Sequence, residues 1–230
     1  MEEIILEIPV EEIQKAAQKR AEKISGFCKM RENEDMFETI KEQYKEFLSY
    51  FYDTTKALCI RATVVRCYPS HYVIQNTLES LLQDHIITES QAKEISEGVF
   101  FIITVTEREN RDGEKEKDTI LEELYRDMII TAYLDCGREW IRRYGQVSEK
   151  SIVVGPGFYG LPLSQIQEYC HLCRGEKLGV VVLENSTLVP KSTCTGGFLI
   201  TNEGFNLEKA CISCKGEKKN CMFCALWNGI

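Results

Sequence analysis

Residues 98–106 read Gly-Val-Phe-Phe-Ile-Ile-Thr-Val-Thr, with Val99, Phe100, Phe101, Ile102, Ile103 and Val105 apolar at odd and even positions alike. A strand that is apolar on both faces belongs in the middle of a sheet, where both faces are covered. It is far shorter than the ~20 apolar residues a membrane span requires, and so is the next such stretch, 178–183. A second β-rich run, 58–67, ends before Pro69.

Helical periods surround these runs. Val10, Ile13, Ala16, Ala17 and Ile24 recur at three- and four-residue steps before Gly26, and Met36, Phe37, Ile40, Tyr44, Phe47 and Leu48 share one side of a helix from Asp35. Both read as amphipathic helices covering a sheet. Residues 78–82 suggest another helix, and 107–117 a charged loop with a turn at Asp112-Gly113. Asp118 is expected to cap a long helix to Tyr144, with Leu121, Leu124, Met128 and Ala132 on its core stripe. Asp135 and Glu139 continue that stripe, so the helix either emerges into water there or lines a polar cavity. Ser164 with Gln167 has the capping-box spacing for a helix to Cys173, closed by Gly175. Residues 178–183 and 187–189 read as a hairpin, followed by a polar loop, 190–197. Strands and helices alternate without regular βαβ spacing, which favours an α+β fold with a mostly antiparallel sheet and flanking helices. The expected organisation is an N-terminal helical segment (1–56), an α+β core (57–204) and a cysteine-rich tail (205–230).

The chain has 28 Lys+Arg against 36 Asp+Glu, a formal charge of −8, which argues against coating nucleic acid. The acidic start, Met1-Glu2-Glu3, lacks the basic region of a secretory signal, and eleven cysteines, an odd count, fit a reducing compartment better than a disulfide framework. The expectation is a soluble, cytoplasmic protein with no membrane or nucleic-acid partner.

Six cysteines fall in C-x-x-C pairs: Cys170/Cys173, Cys211/Cys214 and Cys221/Cys224. The last two pairs place four thiolates within a short tail, a set suited to tetrahedral zinc or an iron–sulfur cluster. Lys215, Lys218 and Lys219 between them would lower the thiol pKa values and offset the thiolate charge. The alternative is reduced or loosely paired thiols in a mobile tail, without metal. Cys170 and Cys173 share a helical face and read as buried apolar cysteines. His71, His85 and His171 sit in no triad-like context, so nothing supports a Ser-His or Cys-His hydrolase.

Two loops could approach a small molecule. Residues 155–162, Gly-Pro-Gly-Phe-Tyr-Gly-Leu-Pro, combine permissive and fixed φ values in a turn whose backbone can come close to a ligand. It matches no phosphate-binding loop pattern, and its bland alternative is a tight connection before a helix. In 191–197 the hydroxyls of Ser192, Thr193 and Thr195, with backbone N–H groups at Gly196 and Gly197, could cradle a carboxylate or ribose; the alternative is a plain polar loop.

Taken in order, Val153-Val154-Gly155-Pro156-Gly157-Phe158-Tyr159-Gly160-Leu161-Pro162-Leu163-Ser164, then Leu188-Val189-Pro190-Lys191-Ser192, then a Cys-x-x-Cys tail, resemble the activation domain of vitamin B12-dependent methionine synthase. The likeness is closest to its free-standing, corrinoid-associated members. Residues 103–107 and Leu134-Asp135-Cys136-Gly137 also look like pieces of that family, and the likeness covers roughly 95–224. The resemblance implies a curved α+β fold that binds S-adenosylmethionine and presents its methyl group to cobalamin held by a partner methyltransferase, with a reduced partner supplying an electron. Binding residues would be Asp135, Glu139, Pro156, Gly157, Phe158, Tyr159, Lys191 and Ser192, with no catalytic nucleophile of its own. Metal ligands would be Cys211, Cys214, Cys221 and Cys224.

Two departures matter. Phe158 stands where the family has Tyr, which keeps an aromatic platform without the hydroxyl. Val153 stands where the family has an Arg suited to the ligand carboxylate, and losing such a charge-assisted bond costs ~1.5–3 kcal/mol. Lys191, Arg138 or Arg142 could substitute. This chain carries no Asp-x-His-x-x-Gly corrinoid motif, so the expected role is that of an accessory subunit acting in trans in methionine biosynthesis. The other readings are an iron–sulfur electron carrier serving a corrinoid protein, and a zinc-stabilised docking module.

Overall fold

The computed structural model describes residues 2–24, 35–54, 58–107, 119–147, 151–157 and 161–201. Five strands form one antiparallel sheet: β1 (Glu2–Ile8), β2 (Leu58–Cys67), β3 (Ile95–Glu107), β4 (Ser151–Val154) and β7 (Thr193–Thr201), in the order β1-β2-β3-β7-β4. A two-stranded ribbon, β5 (Val181–Val182) with β6 (Leu188–Val189), stands apart. The helices are α1 (Val10–Ile24), α2 (Asp35–Thr54), α3 (Tyr72–Gln83), α4 (Glu89–Lys93), α5 (Ile120–Tyr144) and α6 (Ile166–Leu172), with single 3₁₀ turns at Leu163–Gln165 and Gly175–Leu178.

The doubly apolar strand is β3, third of five, as its composition requires. Alternation sends Val99, Phe101, Ile103 and Val105 to a core shared with α1, α2 and α5. Phe100 and Ile102 face a second core built with α3 and α6. Its centre is Phe100, edge-on to Tyr169 with ring centroids 5.1 Å apart. The Tyr169 hydroxyl pairs with Thr77 Oγ1 at 2.8 Å, and burial pushes the phenol pKa far up. Phe100 packs directly on the β7 backbone because Gly197 has no side chain; a Cβ there would lie 2.7 Å from its ring.

Several local expectations change. Residues 2–8, inside the segment read as helical, form the edge strand β1, paired along its length with β2. On α5 the capping box belongs to Thr119 and Glu122, and Asp118 lies outside the described residues. The core stripe of α5 is Tyr125, Ile129, Ala132, Tyr133, Gly137 and Ile141, whereas Leu121 and Leu124 are exposed. Any 3.6-residue period admits a neighbouring phase, and here the aromatic Tyr125 and Tyr133 took the buried one. Ser164 makes no cap: the chain enters α6 through a 3₁₀ turn started by Pro162. The left-handed residue after α6 is Arg174, with φ 48°, not Gly175. Leu178 closes a 3₁₀ turn, which shortens the hairpin to the β5–β6 ribbon. The loop expected over 190–197 becomes strand from Thr193 onward, because β3 offers it a full antiparallel partner.

Candidate functional site

Strand β4 covers only half of β7: Ser151–Val154 pair with residues 200 to 197, and 193–196 have no partner on that side among the described residues. At this point the chain leaves the sheet through Gly155-Pro156-Gly157. Val154 O lies 2.9 Å from where a Cβ on Gly196 would stand, so a side chain there would collide with the turn's root. Gly157, at φ 84°, is in the region glycine favours, and its N–H donates to Leu161 O at 2.9 Å, closing the loop. Pro156 is buried and Gly157 exposed; Phe158 and Tyr159 lie outside the described residues.

Lys191 and Ser192 precede the other end of this open stretch, roughly 16–20 Å from Gly197 at ~3.3 Å per residue. The turn and the lysine–serine segment therefore flank the same half of β7. The hydroxyls expected to face a ligand point into the sheet instead. Ser192 Oγ donates to Val105 O at 2.7 Å, Thr193 Oγ1 bonds Thr104 Oγ1 at 3.0 Å, and Thr195 Oγ1 donates to Phe101 O at 2.9 Å. Strand pairing with β3 puts each beside an acceptor that sequence spacing could not reveal. Lys191, exposed, reaches across to Asp127 of α5.

Helix α5 runs alongside. Asp135 does not emerge into water: its side chain is 13% exposed and one of its two oxygens is engaged by another helix. Its Oδ2 accepts from Arg20 Nε of α1 at 3.1 Å, and its Oδ1 lies 3.6 Å from Arg138 Nη2. The side chains of Arg20, Asp135 and Arg138 are only 9, 13 and 11% exposed. The 3.6 Å contact is too long for a hydrogen bond, and Arg138 Nε is buried with no partner. Glu139 holds Arg142 at 3.0 Å. Cys194 of β7 packs against the core that α5 shares, within the electrostatic reach of Arg138 and Asp135. Burial pushes the Cys194 thiol up to about 12 and that of Cys136, on α5, up to about 11, so neither supplies a counter-charge at neutral pH. Arg20 is the participant the sequence reading missed. Its signal was there: it shares the face of Ile13, Ala17 and Ala21, all buried, a position where a charge needs a partner.

Val153 is buried, paired in register with Phe198 on the α5 side of the sheet. Two described cavities lie elsewhere. One of about 370 Å³ includes Ile4, Leu6, Val64, Val99 and Ile141 in its lining, and one of about 560 Å³ includes Tyr72, Glu168, His171 and residues 180–182. Neither includes Asp135, Glu139, Pro156, Gly157, Lys191 or Ser192. Cys170 and Cys173 are buried, with both thiol pKa values raised by desolvation, and no set of three metal-ligating side chains occurs among the described residues. Cys211, Cys214, Cys221 and Cys224 lie outside the described residues. No described helix is long and apolar enough to cross a membrane.

No family model and no curated protein matches the chain. Among solved structures it is similar to the MetH reactivation domain bound to AdoHcy, at a TM-score of 0.57 and 11% identity over 89% of this chain and 80% of that one. The fold of this chain is that of the MetH reactivation domain.

Proposed function

We propose that this chain is an activation subunit for a cobalamin-dependent methyltransferase of the methionine synthase type, binding S-adenosylmethionine beside α5 and the open half of β7. The observation that carries the reading is the Asp135–Arg138 pair. An α-amino-acid group is a zwitterion, and here a carboxylate and an under-partnered guanidinium lie side by side at the helix–strand seam. Arg138 Nε is a buried donor with no acceptor, and a ligand carboxylate would satisfy it through a charge-assisted bond. Asp135 Oδ1, with only the long contact to Arg138, would take the ammonium.

The pair also answers the departure at Val153. Of the three cations able to replace the family's arginine, Lys191 is engaged by Asp127 and Arg142 by Glu139. Arg138 is the one whose buried Nε has no partner. The Gly155–Gly157 turn, held by its bond to Leu161, would border the ligand's other end. This chain's contribution is then binding and orientation of the sulfonium methyl, which converts a bimolecular encounter into a positioned one. Cobalamin held by the partner would supply the nucleophile for the methyl group, while the Asp135–Arg138 pair of this chain would hold the amino-acid end of S-adenosylmethionine and keep its sulfonium methyl turned outward.

Calorimetry and thermal denaturation of the full chain with S-adenosylmethionine and S-adenosylhomocysteine test the reading. Saturable binding and a rise in Tm are expected, since a ligand held only by the folded state stabilises it. No heat and no shift with either compound would end it.

A further inference from the structure

The 370 Å³ cavity falls in the size range of small-molecule sites, ~300–1,000 Å³. It is bounded by one face of β1, β2 and β3 and by the last turn of α5, and Val64, Val99 and Ile141 give it a buried apolar floor. Tyr144 contributes an aromatic wall. Its ring stacks on Trp140 with centroids 5.1 Å apart and planes 7° from parallel, and Trp140 is pinned in turn by its Nε1–H donating to Glu12 of α1 at 2.7 Å. Gln146 lines the cavity from a left-handed backbone, φ 49°, the conformation that helices ordinarily give to glycine at their ends. Strain of this kind is held in place by the structure around it and gathers at ligand sites.

The charged residues of the lining are Glu2 and Arg66, directly opposite each other in the β1–β2 register. The Glu2 side chain is exposed, and its carboxylate makes no hydrogen bond or ion pair among the described residues. Arg66 donates from Nη1 to Glu97 and from Nη2 to Gly145 O at 2.7 Å, which uses two of the five N–H groups of a guanidinium. These bonds fix Arg66 in place without exhausting it. Glu97 balances its charge, so Glu2 and the carbonyl end of α5 leave the mouth of the cavity negative. A simple carboxylic acid is disfavoured there, and a plain amine leaves the guanidinium donors idle. We infer that this cavity binds a free α-amino acid with a large apolar side chain. Its ammonium meets Glu2, its carboxylate meets Arg66, and its side chain lies on the apolar floor against Tyr144. None of the residues assigned to S-adenosylmethionine lines this cavity, so the two sites stand or fall separately.

Calorimetry on the full chain with L-phenylalanine as the probe tests this. Saturable binding is expected. Affinity should fall about tenfold or more for 3-phenylpropionate, which lacks the ammonium, and for L-phenylalaninamide, which lacks the carboxylate, because each omits one charge-assisted bond. The amide also stands in for the first residue of a peptide, and an amide that binds as well as the free amino acid overturns the assignment of Arg66. Glu2→Gln should weaken L-phenylalanine about tenfold with Tm unchanged, since that carboxylate has no partner to lose. Ile4→Trp, at a lining position 37% exposed, should block the mouth and abolish binding with circular dichroism unchanged. Arg138→Met, at the other site, should leave the L-phenylalanine affinity as it is. A wild type that does not bind L-phenylalanine overturns the inference. So does binding that survives both Glu2→Gln and Ile4→Trp, or binding that Arg138→Met removes.

Discussion

Replacing Arg138 by Met separates a ligand anchor from a structural ion pair. Methionine keeps the apolar stem and removes the guanidinium. Within the free protein little is lost: the contact to Asp135 is 3.6 Å, beyond hydrogen-bond range, and Asp135 keeps Arg20 at 3.1 Å. The expected stability change is within about 1 kcal/mol, because Asp135 stays paired with Arg20 and the unpartnered Arg138 Nε has no hydrogen bond to lose. The ligand complex loses a charge-assisted bond of ~1.5–3 kcal/mol, which weakens S-adenosylhomocysteine binding by roughly ten- to 150-fold. Calorimetry on both proteins, with urea unfolding alongside, reads the two quantities independently. 5′-Methylthioadenosine, which lacks the amino-acid group, should bind wild type and variant equally. Arg142→Met should leave both affinities unchanged because Glu139 already occupies that guanidinium. If wild type binds S-adenosylhomocysteine and Arg138→Met binds it equally well, the zwitterion argument is wrong.

Three further outcomes are expected. His71 caps α3 by accepting from Val73 N–H at Nδ1, and desolvation lowers its pKa from 6.5. The neutral ring's contribution is complete above that value and is lost as pH falls through the lower folded-state pKa. Urea unfolding should therefore show wild type losing more stability than His71→Asn between about pH 7.5 and pH 5, while His71→Ala costs about 1 kcal/mol at the higher pH. Equal losses would remove His71 from the pH response. Gly197→Ala forces Phe100 from its place between β7 and Tyr169 and should destabilise by about 1–3 kcal/mol in urea unfolding; a neutral result would show that the ring yields freely. Metal analysis of the purified chain should find zinc or iron that is lost when Cys211 and Cys214 are replaced by Ser, and a metal-free wild type would refute a tail centre.

Much of the architecture is legible in one dimension because it depends on local periodicity. A run apolar at every position, 99–103, has to be central, and it is. Strand β2 coincides with its β-branched stretch, and α5 with its capping signals to within a residue, the cap passing to Thr119. Periodicity has a phase, however, and the phase of α5 depended on which large side chains the sheet could accommodate. Strand β1 carried two exposed isoleucines among glutamates, a pattern with no clear inward face, and only its pairing with β2 revealed it.

At the candidate site the sequence by itself determined the inventory: a turn built from glycine and proline, a lysine–serine segment, two acids on α5 and a valine at position 153. The tertiary structure decided what each group does. Pairing with β3 turned the Ser192, Thr193 and Thr195 hydroxyls inward, and α1 brought Arg20 across 115 residues to Asp135. The reason is physical: a hydrogen bond or ion pair is set by distances of about 3 Å between elements, and chain spacing encodes which elements form but not which polar atoms meet when they pack.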